Sequence, residues 1–205
     1  MPVEGLVYVI DDDQAMRDSL DFLLDAAGLK ARLFESAVSF LEALPTLGPG
    51  CIVSDVRMPN LDGLELLKRL RETNKSLPII IMTGHGDIPL AVEAMKLGAI
   101  DFIEKPFEDD RLIGTIKAAL GGAAQRHQGD AVTADIASRI ASLSPRERQV
   151  MEGLVAGLSN KLIARDYDIS PRTIEVYRAN VMTKMQASSI SELVRFAIRG
   201  GLLTD

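Results

Sequence analysis

The sequence is poor in the residues that mark secreted, disulfide-rich and membrane proteins. It has no tryptophan, only 4% aromatic residues, and one cysteine, Cys51, among 205 residues. A single cysteine cannot form an internal disulfide, and because Cys51 begins an apolar run we expect an inert, buried thiol. No apolar stretch approaches the length of a membrane span, and the N-terminus shows no basic, cleavable leader pattern. We therefore expect a soluble, cytoplasmic protein with no membrane partner.

Charge is distributed unevenly along the chain, although the overall balance is only −6. Residues 1–122 carry 12 Lys/Arg against 20 Asp/Glu, a balance of −8, whereas residues 143–205 carry 9 against 7, a balance of +2. Residues 121–130 contain three glycines and several small or polar residues, which is typical of a linker. The sequence predicts two domains, 1–122 and 143–205, with different partners and a partly helical linker at 123–142.

Short apolar runs alternate with helical patterns through the first domain. Strands separated by helices predict a parallel α/β sheet with helices on both faces. The second strand is mixed in polarity, as an edge strand should be. The predicted strands cover residues 6–10, 30–34, 51–54, 79–82 and 101–104, and the predicted helices cover 14–27, 36–44, 63–73, 88–97 and 109–120.

Polar residues follow the ends of four of these strands. The acidic residues 11–13 follow the first strand, and Asp55, Thr83 and Lys105 follow three later ones. The carboxyl ends of parallel strands meet at one edge of the sheet, where ligands bind in doubly wound folds. Carboxylates, a hydroxyl and an ammonium at that edge predict a site for a divalent cation and a phosphoryl group. A carboxylate such as Asp55 can act as the nucleophile and form an aspartyl-phosphate.

Each residue of this site has a specific predicted role. Mg²⁺ or Mn²⁺ would be bound by Asp12 and Asp55, together with a backbone carbonyl and, through water, Asp11. Thr83 and Lys105 would hold the phosphoryl oxygens and neutralise their charge. Any one of these residues alone would more often be a solvated loop charge. Their occurrence at four strand ends favours the phosphoryl site.

Two neighbouring features leave alternatives open. The Lys105–Pro106 bond precedes proline, so it can be cis at modest cost, and a cis bond would direct the lysine back over the strand ends. His85 lies two residues past Thr83. It is either a modulator of phosphoryl hydrolysis at the rim of the site or an ordinary exposed loop histidine.

These motifs resemble the receiver domain of bacterial two-component response regulators. The resemblance covers residues 5–120 and rests on Asp11-Asp12, residues 55–63, Thr83-Gly84 and residues 105–107. It implies a flavodoxin-like sheet with strand order 2-1-3-4-5 and phosphorylation of Asp55 by a sensor histidine kinase. It also implies that Asp12, Asp55 and the Arg57 carbonyl hold Mg²⁺. Phe102 takes the position of the family's switch aromatic, which turns inward when Thr83 moves toward the phosphate.

The second domain is predicted to be a bundle of four short helices. From Leu143 onward the pattern is helical throughout, and serines stand where N-caps are expected, at Ser144, Ser159, Ser170 and Ser191. Ser144-Pro145-Arg146-Glu147 is a capping box with proline at the first helical position. A further short helix is predicted at 134–141, in the linker.

Residues 159–186 are predicted to form a helix-turn-helix. A short helix at 159–167 precedes a tight turn at 168–170 and a longer helix at 171–186, which would enter the major groove of DNA. Apolar spacing predicts that Ile174, Tyr177, Val181 and Met185 face the core. Because a balance of +2 is weak for a DNA-binding domain, charge alone favours an ordinary amphipathic helix. The predicted DNA-contacting residues are Lys161, Arg172, Thr173, Glu175, Val176, Arg178, Ala179 and Lys184.

The same half of the chain resembles the LuxR-type helix-turn-helix. The resemblance covers residues 143–203 and rests on residues 143–151, 157–164 and 170–178, with Tyr177 where the family usually has histidine. It implies that the last helix, at about 191–200, pairs two domains on DNA through Leu193, Phe196 and Ala197.

A receiver joined to this domain resembles the NarL/FixJ class of transcriptional activators. That class implies promoter DNA and RNA polymerase as partners. The surface between Ile88 and Glu104 mixes apolar and charged residues, which suits a transient contact, so we expect a homodimer to form through it on phosphorylation. Residues 83–96 and 102–109 more closely resemble the nitrogen-fixation regulators of this class, and this closer resemblance implies activation of nitrogen-fixation genes.

Two rival functions use the same residues. An aspartyl-phosphate hydrolase also needs an Asp nucleophile and Mg²⁺, but it typically places a second acid near the nucleophile, where this chain has Arg57. A protein-interaction module without DNA binding is the other rival. We expect a regulator rather than an enzyme, whose only chemistry is its own phosphorylation and dephosphorylation at Asp55.

Overall fold

The computed structural model describes residues 5–73, 77–84, 88–121 and 129–202. The chain divides into two compact units. The first contains a five-stranded sheet with flanking helices, and the second is made of helices alone over its described residues. This is the α/β plus all-α arrangement that the sequence predicts.

The sheet of the first unit is entirely parallel, with strand order β2-β1-β3-β4-β5 as predicted. β3 and β4 are buried along their whole length, as central strands covered on both faces should be. β2 is largely exposed, as expected of an edge strand. The strands are β1 (Leu6–Ile10), β2 (Lys30–Phe34), β3 (Gly50–Asp55), β4 (Ile79–Thr83) and β5 (Asp101–Glu104).

Helices follow each strand, close to the predicted bounds. Asp13, Ser36 and Asp62 cap three of them, and each accepts a hydrogen bond from a backbone N–H of the first turn. The helices are α1 (Gln14–Ala26), α2 (Ala37–Ala43, with a 3₁₀ turn at Leu44–Thr46), α3 (Gly63–Glu72), α4 (Ile88–Lys96) and α5 (Asp109–Leu120).

The sheet separates two apolar layers. Val7, Val9 and Cys51 belong to the buried cluster that packs with Leu20 and Leu24 of α1. Burial raises the pKa of the Cys51 thiol to about 12, which confirms the expectation of an inert core cysteine. A separate aromatic cluster joins the rings of Tyr8, Phe34 and Phe40, with the Phe34 and Phe40 rings packed edge to face at 5.2 Å.

The second unit contains α4 together with five helices of the C-terminal half, and α4 packs with the last of them. Pro145 and Pro171 occupy the first turns of two helices, and the capping box at Ser144 and Glu147 is present. The last helix begins after Ser189, not at Ser191 as predicted, because the Ser189 hydroxyl caps it while Ser191 is buried. The helices are α6 (Gly129–Ala141), α7 (Pro145–Val155), α8 (Asn160–Asp166), α9 (Pro171–Met185) and α10 (Ile190–Arg199).

α6 is longer than the short linker helix predicted at 134–141. Within the described ranges, no helix is long and apolar enough to cross a membrane.

Candidate phosphoryl-acceptor site and nucleic-acid interface

The carboxyl edge of the sheet brings three of the predicted site residues into direct contact. The Lys105 ammonium lies 2.6 Å from Asp55 Oδ1 and 2.9 Å from Asp11 Oδ2. Asp11 and Asp55 are 2% and 8% exposed, so both carboxylates are withdrawn from bulk water. Two buried carboxylates therefore share one cation, as their places after β1, β3 and β5 predict.

Backbone N–H groups fix the orientation of the two carboxylates. The N–H of Arg57 donates to Asp55 Oδ2 at 2.7 Å, and the N–H of Asp13 donates to Asp11 Oδ1 at 2.9 Å. Since a carboxylate oxygen has two lone pairs, each oxygen retains one for a further partner. The site thus offers oriented, hard oxygen donors, the kind that suit Mg²⁺.

The charge of Lys105 is stabilised by its partners. Burial of the ammonium by itself lowers the pKa of Lys105, but the hydrogen bonds and charges of Asp55 and Asp11 outweigh that effect and raise the pKa above its ordinary value. Lys105 therefore remains positively charged between the two carboxylates. The Lys105–Pro106 peptide bond is cis.

The other predicted site residues differ in how deeply they are buried. Thr83 ends β4 and is completely buried, and Phe102 of β5 is 6% exposed. Asp12 is exposed in the loop after β1. Over the described part of the chain, no three His, Cys, Asp or Glu side chains form a cluster that could by itself hold a metal ion. His85 lies outside the described residues.

Two residues that the sequence analysis did not single out also shape the site. Arg17 of α1 donates from Nη1 to the Asp11 carbonyl at 2.7 Å and thereby holds the loop that follows β1. Gly63 begins α3, and its N–H donates to the Val56 carbonyl at 2.9 Å. A Cβ added at Gly63 would lie 2.5 Å from the Asp55 carbonyl oxygen and 3.0 Å from Val56 Cα. The motif at residues 55–63 contains this glycine, but the sequence pattern alone does not show why a glycine is required at position 63.

Gly63→Ala is expected to destabilise the protein and displace Asp55. The added methyl meets backbone rather than a flexible side chain, so the end of β3 must move, at a cost of about 1–3 kcal/mol. Urea denaturation and the rate of phosphorylation by acetyl phosphate measure the two effects.

The matched control is Gly114→Ala in the interior of α5, where a Cβ meets nothing within 4 Å. That change should stabilise the protein by up to about 1 kcal/mol. Equal stability of the two alanine variants would contradict the close approach at Gly63.

In the second unit, α8 and α9 form the predicted helix-turn-helix. The α8 helix ends at Asp166, Asp168 adopts a left-handed conformation with φ of 52°, and α9 begins at Pro171. The predicted apolar face is confirmed, because Ile174, Val181 and Met185 are fully buried, while Tyr177 is half-buried. Asp168 tolerates this conformation as the tight turn requires.

The opposite face of α9 is open to solvent. Val176 is 59% exposed, so its methyl groups are accessible from solvent, as a contact with a thymine methyl group would require. Thr173 and Arg178 are half-buried at the margins of this face. The exposed members of the predicted DNA-contacting set are Lys161, Arg172, Glu175, Val176, Ala179 and Lys184.

Lys184 differs from the other predicted DNA contacts because its ammonium is already paired. It lies 2.6 Å from Glu147 Oε2 and 3.5 Å from the Ser142 carbonyl. Glu147 is 5% exposed, and its Oε2 also accepts the Ser144 N–H at 2.7 Å. The hydrogen bonds from Lys184 and Ser144 lower the pKa of Glu147 to about 2. Lys184 therefore joins the end of α9 to the start of α7.

Glu147→Gln is expected to lower stability near neutral pH by about 1–2 kcal/mol. This value is modest because the Lys184 side chain is 41% exposed and water screens the pair. Since the folded pKa of Glu147 lies below its usual 4.5, the stabilisation is fully present above about pH 4.5 and is lost as the pH falls toward 2.

Urea denaturation of wild type and Glu147→Gln from pH 7 to pH 3 measures this difference, which should narrow at the acidic end. Glutamine preserves the capping box. If the difference in unfolding free energy between the two proteins stayed constant with pH, the ion pair would not be its cause. Glu152→Gln, an exposed change on the same helix, is the control.

The apolar patch predicted on α10 is not exposed. Leu193 and Ala197 are completely buried, and Phe196 is half-buried beneath the guanidinium of Arg139, 5.9 Å from its ring centroid. The prediction of an open pairing surface at these residues is wrong for this conformation, because α10 is packed into the second unit.

Two family models match the chain. Residues 7–117 match the response regulator receiver domain, and residues 141–197 match the bacterial regulatory proteins of the luxR family. The two matches cover the sheet with its acidic edge and the helix-turn-helix respectively.

Relatives and solved structures extend the similarity over the full length. The transcriptional regulatory protein FixJ of Bradyrhizobium diazoefficiens is 69% identical over 100% of both chains, and FixJ of Rhizobium meliloti is 50% identical over 95% of this chain and 96% of that protein. The crystal structure of full-length FixJ from B. japonicum matches with a TM-score of 0.57 and 70% identity, covering 98% of each chain. The chain therefore belongs to the two-component response regulators that join a receiver domain to a LuxR-type DNA-binding domain, and it is of the FixJ type.

Proposed function

We propose that Asp55 accepts a phosphoryl group from a sensor histidine kinase and that phosphorylation makes the protein a dimeric activator at promoter DNA. The observation that carries this proposal is the Lys105 ammonium held between Asp55 and Asp11 at the carboxyl edge of the sheet. The names of the FixJ relatives support nitrogen-fixation genes as targets. A cytoplasmic location and contact with RNA polymerase follow from that role.

Phosphorylation replaces one set of contacts at this edge with another. An Asp55 carboxylate oxygen attacks phosphorus, a P–O bond forms, and the bond from phosphorus to the donor breaks, with the electron pair leaving on the donor. Lys105 then moves its hydrogen bond from the carboxylate to a phosphoryl oxygen. Thr83, buried at the end of β4, would donate its hydroxyl to another. The negative charge of the phosphoryl group would thus be stabilised by groups that the fold already places at this edge.

A divalent cation would complete this neutralisation. Asp11, Asp12, Asp55 and the Arg57 carbonyl would hold Mg²⁺ or Mn²⁺, which supplies positive charge to the phosphoryl oxygens when bound. The lone pairs that remain on Asp11 and Asp55 support this assignment.

Dimerisation is proposed to use the surface between Ile88 and Glu104. In this structure Val92 and Met95 of α4 are buried, whereas Glu93 and Lys96 are exposed. The apolar members of this surface can therefore contribute to a dimer only if α4 repacks. Phosphate-dependent movement of Thr83 and Phe102 would provide that repacking.

The test measures DNA affinity and oligomeric state with and without acetyl phosphate and Mg²⁺. The probe is a 30-bp duplex selected from a random library by the phosphorylated protein, and analytical ultracentrifugation gives the mass. We expect a monomer that becomes a dimer and gains at least about tenfold in affinity, or about 1.4 kcal/mol. An increase in affinity with no dimer would contradict the proposed route, and no change in either would contradict the function.

The rival hydrolase predicts a different outcome with Mg²⁺ and a phosphate ester. A hydrolase turns over many equivalents, whereas an acceptor that lacks a second acid at position 57 reacts about once before its own slow dephosphorylation. Release of many equivalents of phosphate per chain would favour the enzyme.

A further inference from the structure

α6 is built into the second unit as one of its packed helices. Its Ile136 and Ile140 are 1% and 6% exposed. Both lie at Gly200, the residue after α10, where an added Cβ would come within 2.5 Å of Ile140 Cδ1 and 3.2 Å of Ile136 Cγ2. Arg148 of α7 donates to the Ile140 carbonyl at 3.2 Å. The segment predicted to be a linker therefore shares a core with the helices that follow it.

Arg139 connects this helix to the C-terminal end of α9. Its Nη1 donates to the Met185 carbonyl at 3.0 Å, and its Nη2 pairs with Asp135 one turn earlier on α6. Met185 is the last residue of α9, and its carbonyl is one of the groups that a helix end leaves without an internal partner. A cation at that end also interacts favourably with the helix dipole.

The same guanidinium reaches α10. It lies over the Phe196 ring at 5.9 Å from the centroid, within the range of a cation–π contact. Arg139 thus touches α6, α9 and α10 at once. Its Nε is buried with no hydrogen-bond partner among the described residues. A methionine at this position would leave no such donor unsatisfied, which offsets part of the stability lost with the hydrogen bonds of Arg139.

Arg139 is poorly placed to contact DNA itself. Its side chain is 22% exposed, and both terminal nitrogens are already engaged. Any influence on DNA binding must therefore pass through the helices that it holds.

We propose that Arg139 is a positioning residue for DNA recognition, which fixes the end of α9 against α6 and α10 and so sets how α9 is presented to the major groove. The proposal rests on the proposed function, in which α9 is the recognition helix. According to this proposal, the predicted linker contributes to operator affinity, a role that its sequence does not predict.

The test compares Arg139→Met, Arg139→Lys and the control Arg199→Ala in the full-length protein phosphorylated with acetyl phosphate. Methionine fills the volume without donating hydrogen bonds, lysine keeps the charge without the planar fork, and Arg199 is an exposed cation on α10. The probes are the selected 30-bp duplex and poly(dI-dC), each titrated across a range of salt concentrations. Thermal unfolding is measured in parallel.

We expect Arg139→Met to lose about tenfold in affinity for the selected duplex, or about 1.4 kcal/mol, while poly(dI-dC) binding and the salt slope stay unchanged. Its Tm should remain within about 3 °C of wild type, and Arg139→Lys should recover part of the loss. Arg199→Ala should match wild type.

Three results would overturn the proposal. Unchanged affinity with a lowered Tm would make Arg139 purely structural. An equal loss on both DNAs, with a salt slope smaller by about 0.9, would make it a direct phosphate contact. Unchanged affinity and unchanged Tm would remove any role. Arg172→Ala is the reference: if it too binds normally, the recognition helix itself is wrongly assigned and the proposed function fails with it.

Discussion

Asp55→Asn is expected to abolish phosphorylation by acetyl phosphate and with it the phosphate-dependent gain in DNA affinity. The amide is a far weaker nucleophile than the carboxylate, and it places an NH₂ group or a neutral oxygen beside the Lys105 ammonium that now lies 2.6 Å from Asp55. Incorporation of labelled phosphate should fall by at least about a hundredfold, or about 2.7 kcal/mol in the barrier. Phosphate-affinity electrophoresis measures it.

Asp62→Asn is the matched control for this change. Asp62 lies seven residues later and caps α3 by accepting the Glu65 N–H at 2.8 Å, a role that asparagine also fills. It should be phosphorylated normally. Labelling that persists in Asp55→Asn and maps to Asp11 or Asp12 would show that another carboxylate is the acceptor, and chelation of the divalent cation should suppress labelling of the wild type.

The acidic edge could be predicted from the sequence because the carboxyl ends of parallel strands lie at one edge of a sheet. The strand order that makes Asp11, Asp55 and Lys105 neighbours came from the family resemblance, not from the pattern of strands. The finer contacts do not follow from spacing. The Arg17 hydrogen bond to the Asp11 carbonyl and the contact of Gly63 with Asp55 depend on how helices pack on the sheet, which periodicity does not encode.

The second unit was predicted less completely for a related reason. The capping serines and the buried face of α9 are local patterns, and they were predicted correctly at Ser144, Ser159 and Ser170. The pairing of Lys184 with Glu147 spans 37 residues, so a helix viewed alone shows only an exposed lysine. The sequence predicts that α6 belongs to the linker because a glycine-containing stretch precedes it. The burial of Ile136 and Ile140 results from packing with α9 and α10, which the sequence pattern of α6 alone does not show.

Replacement of Arg172 and Arg178 by alanine is expected to remove most sequence-specific binding, whereas Lys184→Ala should act mainly on stability. Arg172 lies exposed in the first turn of α9 and Arg178 lies at the margin of its open face. Arginine at such positions contacts guanine edges or phosphates. A lost base contact should cost about 1–3 kcal/mol and relax specificity at one base pair, so the double variant should bind the selected duplex about a hundredfold or more weakly.

The salt dependence separates the three residues. Each phosphate contact removed should flatten the slope of log affinity against log salt by about 0.9, whereas loss of a base contact leaves the slope unchanged. Lys184→Ala should leave the slope unchanged because its ammonium is engaged with Glu147, and it should lower the unfolding free energy as Glu147→Gln does. A flattened slope for Lys184→Ala with unchanged stability would show that the lysine leaves Glu147 for a phosphate when DNA binds. Normal binding by the Arg172 and Arg178 double variant would mean that another face of α9 meets the DNA.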